Sequence, residues 1–125
     1  MEYDGKFLIL RRHPEKKQGG TWGLPAGKVD AGEDDAQSAA REIYEETGYQ
    51  TKTGELELLG AYPFEFPEYD VTFPTYRIRL QKPLDVKLQP SEHTEFRWVT
   101  AEECYAMKDL IYGFHELLVL TGYIA

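Results

Sequence analysis

The sequence predicts a single α/β domain, an α/β/α sandwich in which helices flank both faces of a mixed β-sheet. Helical patterning supports this at two places, because small and apolar residues recur at a 3.6-residue spacing within positions 36–47 and again within 110–121. Between them, Tyr76, Ile78 and Leu80 alternate with polar residues, as in a strand with one buried face. The chain has 125 residues, which is enough for one hydrophobic core.

The composition excludes several kinds of protein. Hydrophobic residues make up 42% of the chain, and no apolar run approaches the roughly 18 residues of a membrane span. The first residues lack a signal-peptide pattern, so we expect a cytoplasmic location and no membrane partner. Cys104 is the single cysteine, which excludes an internal disulfide and a cysteine zinc site. A net charge of −8 argues against a surface that binds duplex DNA or long RNA. It does not exclude small polyphosphates as ligands, because these arrive with their own metal ions.

The first predicted strand spans about Lys6 to Arg11, because an apolar run follows the Asp4-Gly5 turn signal. The most basic part of the chain begins at the end of this strand and comprises Arg11, Arg12, His13, Lys16 and Lys17. One interpretation of these residues is a solvated loop. The other is that Arg11 or Arg12, leaving the strand end, contacts a substrate phosphate.

The first helix is predicted to begin near Asp34 and to end at Gly48. Asp34 and Asp35 lie in its first turn, where the helix dipole favours negative charge, and glycine is a common C-terminal stop. One face of the helix carries its small and apolar residues, namely Ala36, Ala39, Ala40, Ile43, Tyr44 and Thr47. That stripe predicts the side of the helix that packs against the sheet.

Acidic residues are concentrated on this helix. The segment from Gly27 to Tyr49 holds seven carboxylates against Lys28 and Arg41. Glu42, Glu45 and Glu46 fall within roughly a quarter-turn of one another, beside the apolar face. Like charges at this spacing destabilise an isolated helix, but a bound Mg²⁺ or Mn²⁺ reverses the sign, because hard cations take several carboxylate oxygens as ligands. The alternative is a solvated acidic helix face.

Two further strands are predicted, at Leu56 to Phe66 and at Val71 to Leu80. The connection between them is marked as a loop by Pro63, Pro67, Glu68 and Asp70. Four aromatic residues cluster around that loop, namely Phe64, Phe66, Tyr69 and Phe73. They either pack in the core or stack against a nucleobase, and the sequence leaves both interpretations open.

The end of the chain predicts one strand and two helices. Phe96, Trp98 and Val99 belong to the strand, and Thr100 with Glu103 forms a capping-box pattern for a short helix. A second amphipathic helix is predicted after Asp109 and before Gly122. Its apolar positions are Leu110, Phe114, Leu117, Leu118 and Thr121.

The acidic segment resembles the Nudix box, written G-x5-E-x7-R-E-U-x-E-E-x-G-U with U a bulky aliphatic residue. The fixed positions are matched by Gly27, Glu33, Arg41, Glu42, Glu45, Glu46 and Gly48. Ile43 fills the first aliphatic position, whereas Tyr49 stands at the second. At residue frequencies of roughly 5–7%, such a match arises by chance on the order of once in 10⁹ placements. Residues 22–27 also match the W-x-L-P-x-G lead into the box, and residues 92–98 resemble the family's late E-H-x-E-[FY]-x-W segment.

This resemblance implies a Nudix-type α/β/α sandwich and an enzyme that hydrolyses a diphosphate linkage with Mg²⁺ or Mn²⁺ as cofactor. The implied metal ligands are Glu42, Glu45, Glu46, the main-chain carbonyl of Ala26, and Glu92. The general base is either a metal-bound helix glutamate or Glu92, and Glu95 competes with Glu92 for the role of the late carboxylate.

The same resemblance assigns supporting roles. Glu33 is expected to pair with Arg41, and Arg41 to hold the helix carboxylates in register. The implied catalytic set is therefore Glu33, Arg41, Glu42, Glu45 and Glu92. Gly27 and Gly48 are expected to be structural. Trp22 is either a core residue or a platform on which a base stacks.

The substrate stays open at this point. Nudix enzymes cleave nucleoside triphosphates, oxidised nucleotides, dinucleoside polyphosphates, nucleotide sugars, ADP-ribose or capped RNA ends. The late E-H segment favours nucleoside triphosphates or dinucleoside polyphosphates over ADP-ribose. The rival interpretation is a Nudix-fold module that senses a nucleotide without cutting it. Such modules generally lose box glutamates, and all four are present in this chain.

The family usually has a strand before the Asp4-Gly5 turn, where this chain has Met1 to Tyr3. A missing or truncated strand would leave a sheet edge open, and open edges pair with other chains. We therefore expect a homodimer that covers the edge. The other expected partner is a small-molecule nucleotide or polyphosphate substrate.

Overall fold

The structure is a computed structural model that describes residues 1–26, 32–52, 54–65 and 70–125, with the backbone alone described for residues 63–65 and 70–73. Several predicted positions therefore lie outside the described residues, namely Gly27, Lys28, Phe66, Pro67, Glu68 and Tyr69. The side chains of Phe64 and Phe73 lie outside them as well, so the two interpretations of the aromatic cluster stay open.

Six strands and three helices form the described part of the chain. The strands are β1 (Glu2–Tyr3), β2 (Lys6–Arg12), β3 (Trp22–Gly23), β4 (Glu57–Glu65), β5 (Asp70–Arg77) and β6 (His93–Val99). The helices are α1 (Asp35–Thr47), α2 (Ala101–Tyr105) and α3 (Phe114–Leu120). In these segments, no helix combines the length and the apolar composition needed to cross a bilayer.

Strand β2 is the centre of the main sheet. It pairs antiparallel with β1 and β3 and with β6, while β4 and β5 form a separate antiparallel pair. Parallel pairing occurs at two isolated bridges, one between Glu2 and Arg79 and one between Trp22 and Leu110. The predicted strands are thus confirmed in type, and the first of them extends to Arg12.

The apolar run of β2 is explained by burial on both of its faces. Phe7 and Ile9 pack toward α2 and α3, whereas Leu8 and Leu10 pack toward α1. Because side chains alternate along a strand, one continuous apolar run supplies two cores. Helices on both sides of the sheet confirm the predicted α/β/α sandwich.

The start of the chain corrects one expectation. A short strand, β1, is present, and the turn that joins it to β2 has the left-handed backbone of Asp4 and Gly5, with φ of 51° and 75°. The outer edge of β1 is also paired, since the Glu2 amide donates to Ile78 O at 2.8 Å and the Leu80 amide donates to Glu2 O at 2.8 Å. The open edge that led to the expected homodimer is therefore occupied by this chain's own residues 78–80. The homodimer itself stays a prediction.

Helix α1 has the predicted ends but a different buried side. Asp34 caps it through a reciprocal pair with Gln37, and Gly48 ends it with φ of 81°. Tyr44, expected on the packed face, is 57% exposed, and Ala36 is exposed too. The buried positions are Ser38, Ile43, Glu46 and Thr47. Hydrophobicity alone gave the wrong rotation, because the charged Glu46 is buried with its carboxylate on the Ala26 amide. Thr47 is buried as expected and satisfies its hydroxyl within the helix by donating to Ile43 O at 2.6 Å.

Three other predicted boundaries are wrong. Strand β5 ends at Arg77 and not at Leu80, because residues 78–80 pair with β1 instead. Pro63 and Asp70, expected in a loop, lie in β4 and β5. Among the described residues β4 and β5 pair only with each other, so each is an edge strand, where proline is tolerated because its missing N–H does not interrupt a ladder. Helix α3 begins at Phe114 and not directly after Asp109, because Gly113 has φ of 86° and Leu110 instead pairs with Trp22.

Candidate active site

Arg41 connects three carboxylates at the solvent side of α1. Its Nε and Nη2 donate to the two oxygens of Glu33, at 2.8 and 3.2 Å. Its Nη1 lies 2.8 Å from Glu42 Oε1 and 3.1 Å from Glu45 Oε2. The pKa of Arg41 is raised, chiefly by the hydrogen bond with Glu33, so the guanidinium keeps its charge. The Glu33–Arg41 pair expected from the sequence is present, and Arg41 also contacts Glu42 and Glu45. That Arg41 holds the helix carboxylates in register stays a prediction.

Glu46 faces the protein interior and has different partners. It is 9% exposed, and its Oε2 accepts a hydrogen bond of 2.9 Å from the Ala26 amide. Burial, followed by the nearby charge of Glu42, raises the pKa of Glu46 to about 8. A glutamate in this setting is largely protonated at neutral pH, because ionisation would place an unbalanced charge in the interior.

The contact with Glu46 also places Ala26 beside the helix. The residue that donates its amide is the one whose carbonyl is implied as a metal ligand. Three Asp, Glu, His or Cys side chains that converge as ligands on one point are not found among the described residues. Glu42 and Glu45 turn toward Arg41, and Glu46 turns toward Ala26.

Glu92 lies on the turn before β6, next to this group. Its Oε1 is 2.9 Å from Lys16 Nζ, and its side chain is 48% exposed. The hydrogen bond from Lys16 lowers the pKa of Glu92, so this carboxylate is ionised at neutral pH. Glu92 is close enough to Glu46 that its charge contributes to the raised pKa of Glu46, after burial and Glu42.

Glu95, the competitor of Glu92, lies elsewhere. It pairs with Arg11 at 2.8 Å, and the Arg11 guanidinium lies 5.8 Å from the centre of the Trp22 ring. Trp22 belongs to the core beneath α2 and α3, on the sheet face opposite α1. Of the two late carboxylates, the structure therefore brings Glu92, and not Glu95, to the helix carboxylates.

Arg11 and Arg12, the two candidate phosphate ligands, also lie on opposite faces of the sheet. Arg11 lies with Glu95 and Trp22, and its Nε donates to Gly20 O at 3.0 Å. Arg12 is paired with His93 across β2 and β6, and His93 Nε2 lies 4.0 Å from Glu46 Oε1, so Arg12 lies on the side of the helix carboxylates. Trp22 is 5% exposed and packs in the core, which confirms the core interpretation of this residue.

No role was expected for His93, but the structure places it at this site. It is 5% exposed, its Nε2 lies 4.0 Å from Glu46 Oε1, and its Nδ1 is buried with no hydrogen-bond partner among the described residues. Burial lowers the pKa of His93, so the ring is neutral at pH 7. Its position inside the late E-H segment was the available signal, but nothing in the sequence shows that its side chain turns inward.

The end of α1 explains two positions of the box. A Cβ on Gly48 would lie 3.2 Å from Lys87 Cβ, in addition to the left-handed φ, so glycine has a structural role there. Tyr49 packs against the core on the α1 side and donates its hydroxyl to Glu55. This hydrogen bond explains how tyrosine is accommodated at a position where the box has an aliphatic residue. Gly27 lies outside the described residues.

Comparison with known proteins identifies the family. A family model described as NUDIX domain matches residues 1–118. An octanoyltransferase of Myxococcus xanthus is 35% identical over 98 residues, which are 77% of this chain but 27% of that protein, so the chain spans about a quarter of it. The CTP pyrophosphohydrolase of Escherichia coli (strain K12) is 26% identical over 113 residues, 82% of this chain and 73% of the relative.

Solved structures agree with the family model. A MutT protein from Methanosarcina mazei Go1 has a TM-score of 0.81 and 34% identity, with coverage of 94% of this chain and 83% of that one. The similarity thus extends over both helical layers and the sheet between them. With the family model matching residues 1–118, this chain is a member of the Nudix hydrolase family.

Proposed function

We propose that this protein hydrolyses a diphosphate linkage in a nucleoside diphosphate derivative, with a divalent metal ion as cofactor. Membership of the Nudix hydrolase family makes it an enzyme of the pyrophosphohydrolase class. The observation that carries the proposal is the environment of Glu46, a buried acid that accepts a hydrogen bond from the Ala26 amide and lies 4.0 Å from His93 Nε2. The charges of Glu42 and Glu92 act on it as well. Such a group of carboxylates is costly on its own and is stabilised by a cation.

The chemistry of these residues fits Mg²⁺ or Mn²⁺. All proposed donors are oxygens, which hard divalent cations prefer. Glu42, Glu45 and Glu46 lie on consecutive turns of one helix, and Ala26 lies beside Glu46. We infer that these residues and Glu92 would hold the ion. When bound, such an ion neutralises phosphate oxygens and lowers the pKa of a bound water.

The protein residues have separate tasks in this proposal. Arg41, fixed by Glu33, sets the orientation of Glu42 and Glu45. Glu92 is the favoured general base, because it is ionised and half exposed and therefore accessible to a proton from the attacking water. A helix glutamate is the second candidate. Arg12 is the favoured phosphate ligand, because its cross-strand partner His93 lies next to Glu46, which places Arg12 on the side of these carboxylates.

Nucleoside triphosphates and dinucleoside polyphosphates are the favoured substrates. The Escherichia coli relative is named for CTP, a nucleoside triphosphate, which supports the first class. ADP-ribose and nucleotide sugars are the alternative substrates within the same chemistry. The cytoplasmic location expected from the sequence stays a prediction.

A panel of nucleoside diphosphate derivatives tests the proposal. Each compound is incubated with Mg²⁺ or Mn²⁺, and released phosphate and diphosphate are measured. We expect turnover that depends on the metal and is greatest for nucleoside triphosphates or dinucleoside polyphosphates. If compounds raise the melting temperature but none is cleaved, the protein is a nucleotide-sensing module and the proposed hydrolysis is wrong.

A further inference from the structure

The loop between β2 and β3 is firmly held against the turn that carries Glu92. The Arg12 amide donates to Thr21 O and the Gly20 amide donates to Arg12 O, both at 2.9 Å, which closes the loop at its base. The Arg12 guanidinium donates to Lys17 O at 2.8 Å within the loop. The His13 amide donates to Glu92 O at 2.9 Å, so the loop and the Glu92 turn are also joined through the backbone.

Lys16 is the loop residue that contacts the candidate base directly. Its ammonium lies 2.9 Å from Glu92 Oε1, and the two side chains are 39% and 48% exposed. Exposed ion pairs are weak, because water competes for both charges and two long side chains must be held in one geometry. The contact is therefore strong enough to define a preferred partner for Glu92 and weak enough to be exchanged.

A polyphosphate that reaches Glu92 would meet this ion pair. The substrate brings several negative oxygens to a place where Glu42 and Glu92 already supply negative charge. Ammonium groups make strong charge-assisted hydrogen bonds to phosphate, and the flexible stem of lysine lets its head group change partner without backbone movement. The backbone contacts of the loop keep Lys16 within reach of the same location.

We propose that Lys16 exchanges partners during binding: it holds Glu92 when no polyphosphate is present, and it binds a phosphate oxygen of the substrate when one arrives, which releases the Glu92 carboxylate. This inference rests on the proposed function for the identity of the substrate. It makes Lys16 a positioning residue for Glu92 and a phosphate ligand in turn.

Binding of inorganic diphosphate in EDTA tests the exchange without turnover. Isothermal titration is carried out at constant ionic strength on the wild type, Lys16→Met, Glu92→Gln and the double variant. We expect Lys16→Met to weaken binding by about fivefold to twentyfold, the effect of one charge-assisted contact. Glu92→Gln should strengthen binding, because it frees Lys16 and removes a repulsive charge. The gain should be at least about threefold smaller when Lys16 is already Met, since only the repulsion is then removed.

Lys17→Met is the matched control, because it removes the same charge from the neighbouring loop position and leaves the backbone acceptor of Arg12 in place. We expect it to change diphosphate binding by less than about twofold, the screened effect of an exposed charge. Equal weakening by Lys16→Met and Lys17→Met would overturn the proposal, and so would a Glu92→Gln gain that is the same in both backgrounds.

Turnover distinguishes failure of this inference from failure of the proposed function. If Lys16 exchanges partners as proposed, Lys16→Met should raise KM more than it lowers kcat. Lys16→Arg should restore part of the affinity for diphosphate. If the wild type hydrolyses members of the substrate panel but diphosphate binding shows no coupling between Lys16 and Glu92, the exchange is wrong and the hydrolase stands. If the coupling is present and nothing on the panel is cleaved, the hydrolase is wrong and the exchange stands as a property of the binding site.

Discussion

Burial sets Glu46 apart from the other carboxylates of α1. Glu42 and Glu45 contact the Arg41 guanidinium, whereas Glu46 accepts from a neutral amide and lies beside a neutral imidazole. A charge on Glu46 is therefore poorly compensated by the protein, and the pKa of this group is raised to about 8. In our proposal, cation binding changes the free energy of ionisation more for Glu46 than for the other carboxylates of α1.

The raised pKa predicts how stability depends on pH in EDTA. An unfolded glutamate releases its proton near its usual value of 4.5, whereas folded Glu46 holds its proton up to about pH 8. The resulting stabilisation is fully present below pH 4.5 and is lost as the pH rises through 8, because the folded state binds more protons over that interval. The melting temperature should fall between those values, and Glu46→Gln should flatten this slope. Parallel slopes for the two proteins would contradict the assigned environment of Glu46.

Arg41 acts through geometry as well as charge. Arg41→Lys keeps one positive charge but cannot contact both oxygens of Glu33 while also reaching Glu42 and Glu45. We expect Mg²⁺ affinity or turnover to fall by roughly 10- to 100-fold, as for other residues that orient metal ligands. Arg77→Lys is the control, because Arg77 pairs with Glu57 away from these residues. If both variants keep wild-type metal affinity and turnover, Arg41 does not position the ligands.

At the scale of elements, local chemistry was predictable and the packed side of a helix was not. The C-terminal end of α1 followed from Gly48 and the start of α2 from the capping box of Thr100 and Glu103, because a cap satisfies backbone groups only a few positions away. The rotation of α1 depends instead on the sheet beneath it. Tyr44 is apolar in sequence terms yet exposed, and Glu46 is charged yet buried, since its carboxylate finds the Ala26 amide.

The glycine that ends α1 provides a stability test of one element. Gly48→Ala places a Cβ on a residue with φ of 81° and brings it to 3.2 Å from Lys87 Cβ. The left-handed backbone alone costs about 1–2 kcal/mol for a residue with a side chain. Gly122→Ala is the matched control, because Gly122 follows α3 with φ of 84° and a Cβ there would meet nothing within 4 Å. Urea unfolding should show the larger loss for Gly48→Ala; an equal or smaller loss would mean that Lys87 moves aside freely.

At the scale of the whole molecule, the features that could not be predicted are contacts between segments that lie far apart in the sequence. Residues 78–80 pair with the outer edge of β1, and the residue types of the two segments do not predict this pairing. The same holds for Lys16 and Glu92, which lie in separate loops and meet because β2 and β6 are neighbours. The box glutamates could be found because their spacing is local, whereas the choice between Glu92 and Glu95 needed the sheet to assign each to a face.

Metal binding should stabilise the entire fold. A ligand that binds the folded state alone adds about 2.7 kcal/mol to the free energy of unfolding when present at 100 times its Kd. We therefore expect millimolar Mg²⁺ or Mn²⁺ to raise the melting temperature, measured against EDTA at equal ionic strength. Ca²⁺ and Na⁺ at matched ionic strength separate a specific site from charge screening. A cooperative melting curve that no divalent ion shifts would count against the site.

The most direct test of the central claim, that the carboxylates of α1 hold a metal used in hydrolysis, is Mn²⁺ binding and turnover in Glu46→Gln. The substitution keeps the size of the side chain but removes the charge that a divalent cation requires. We expect metal affinity and hydrolysis to be lost together. Glu92→Gln, measured beside it, should keep its metal if Glu92 is chiefly the base, with a rate lower by roughly 10²–10⁴. If Glu46→Gln binds Mn²⁺ and turns over substrate like the wild type, the metal site is not on this helix.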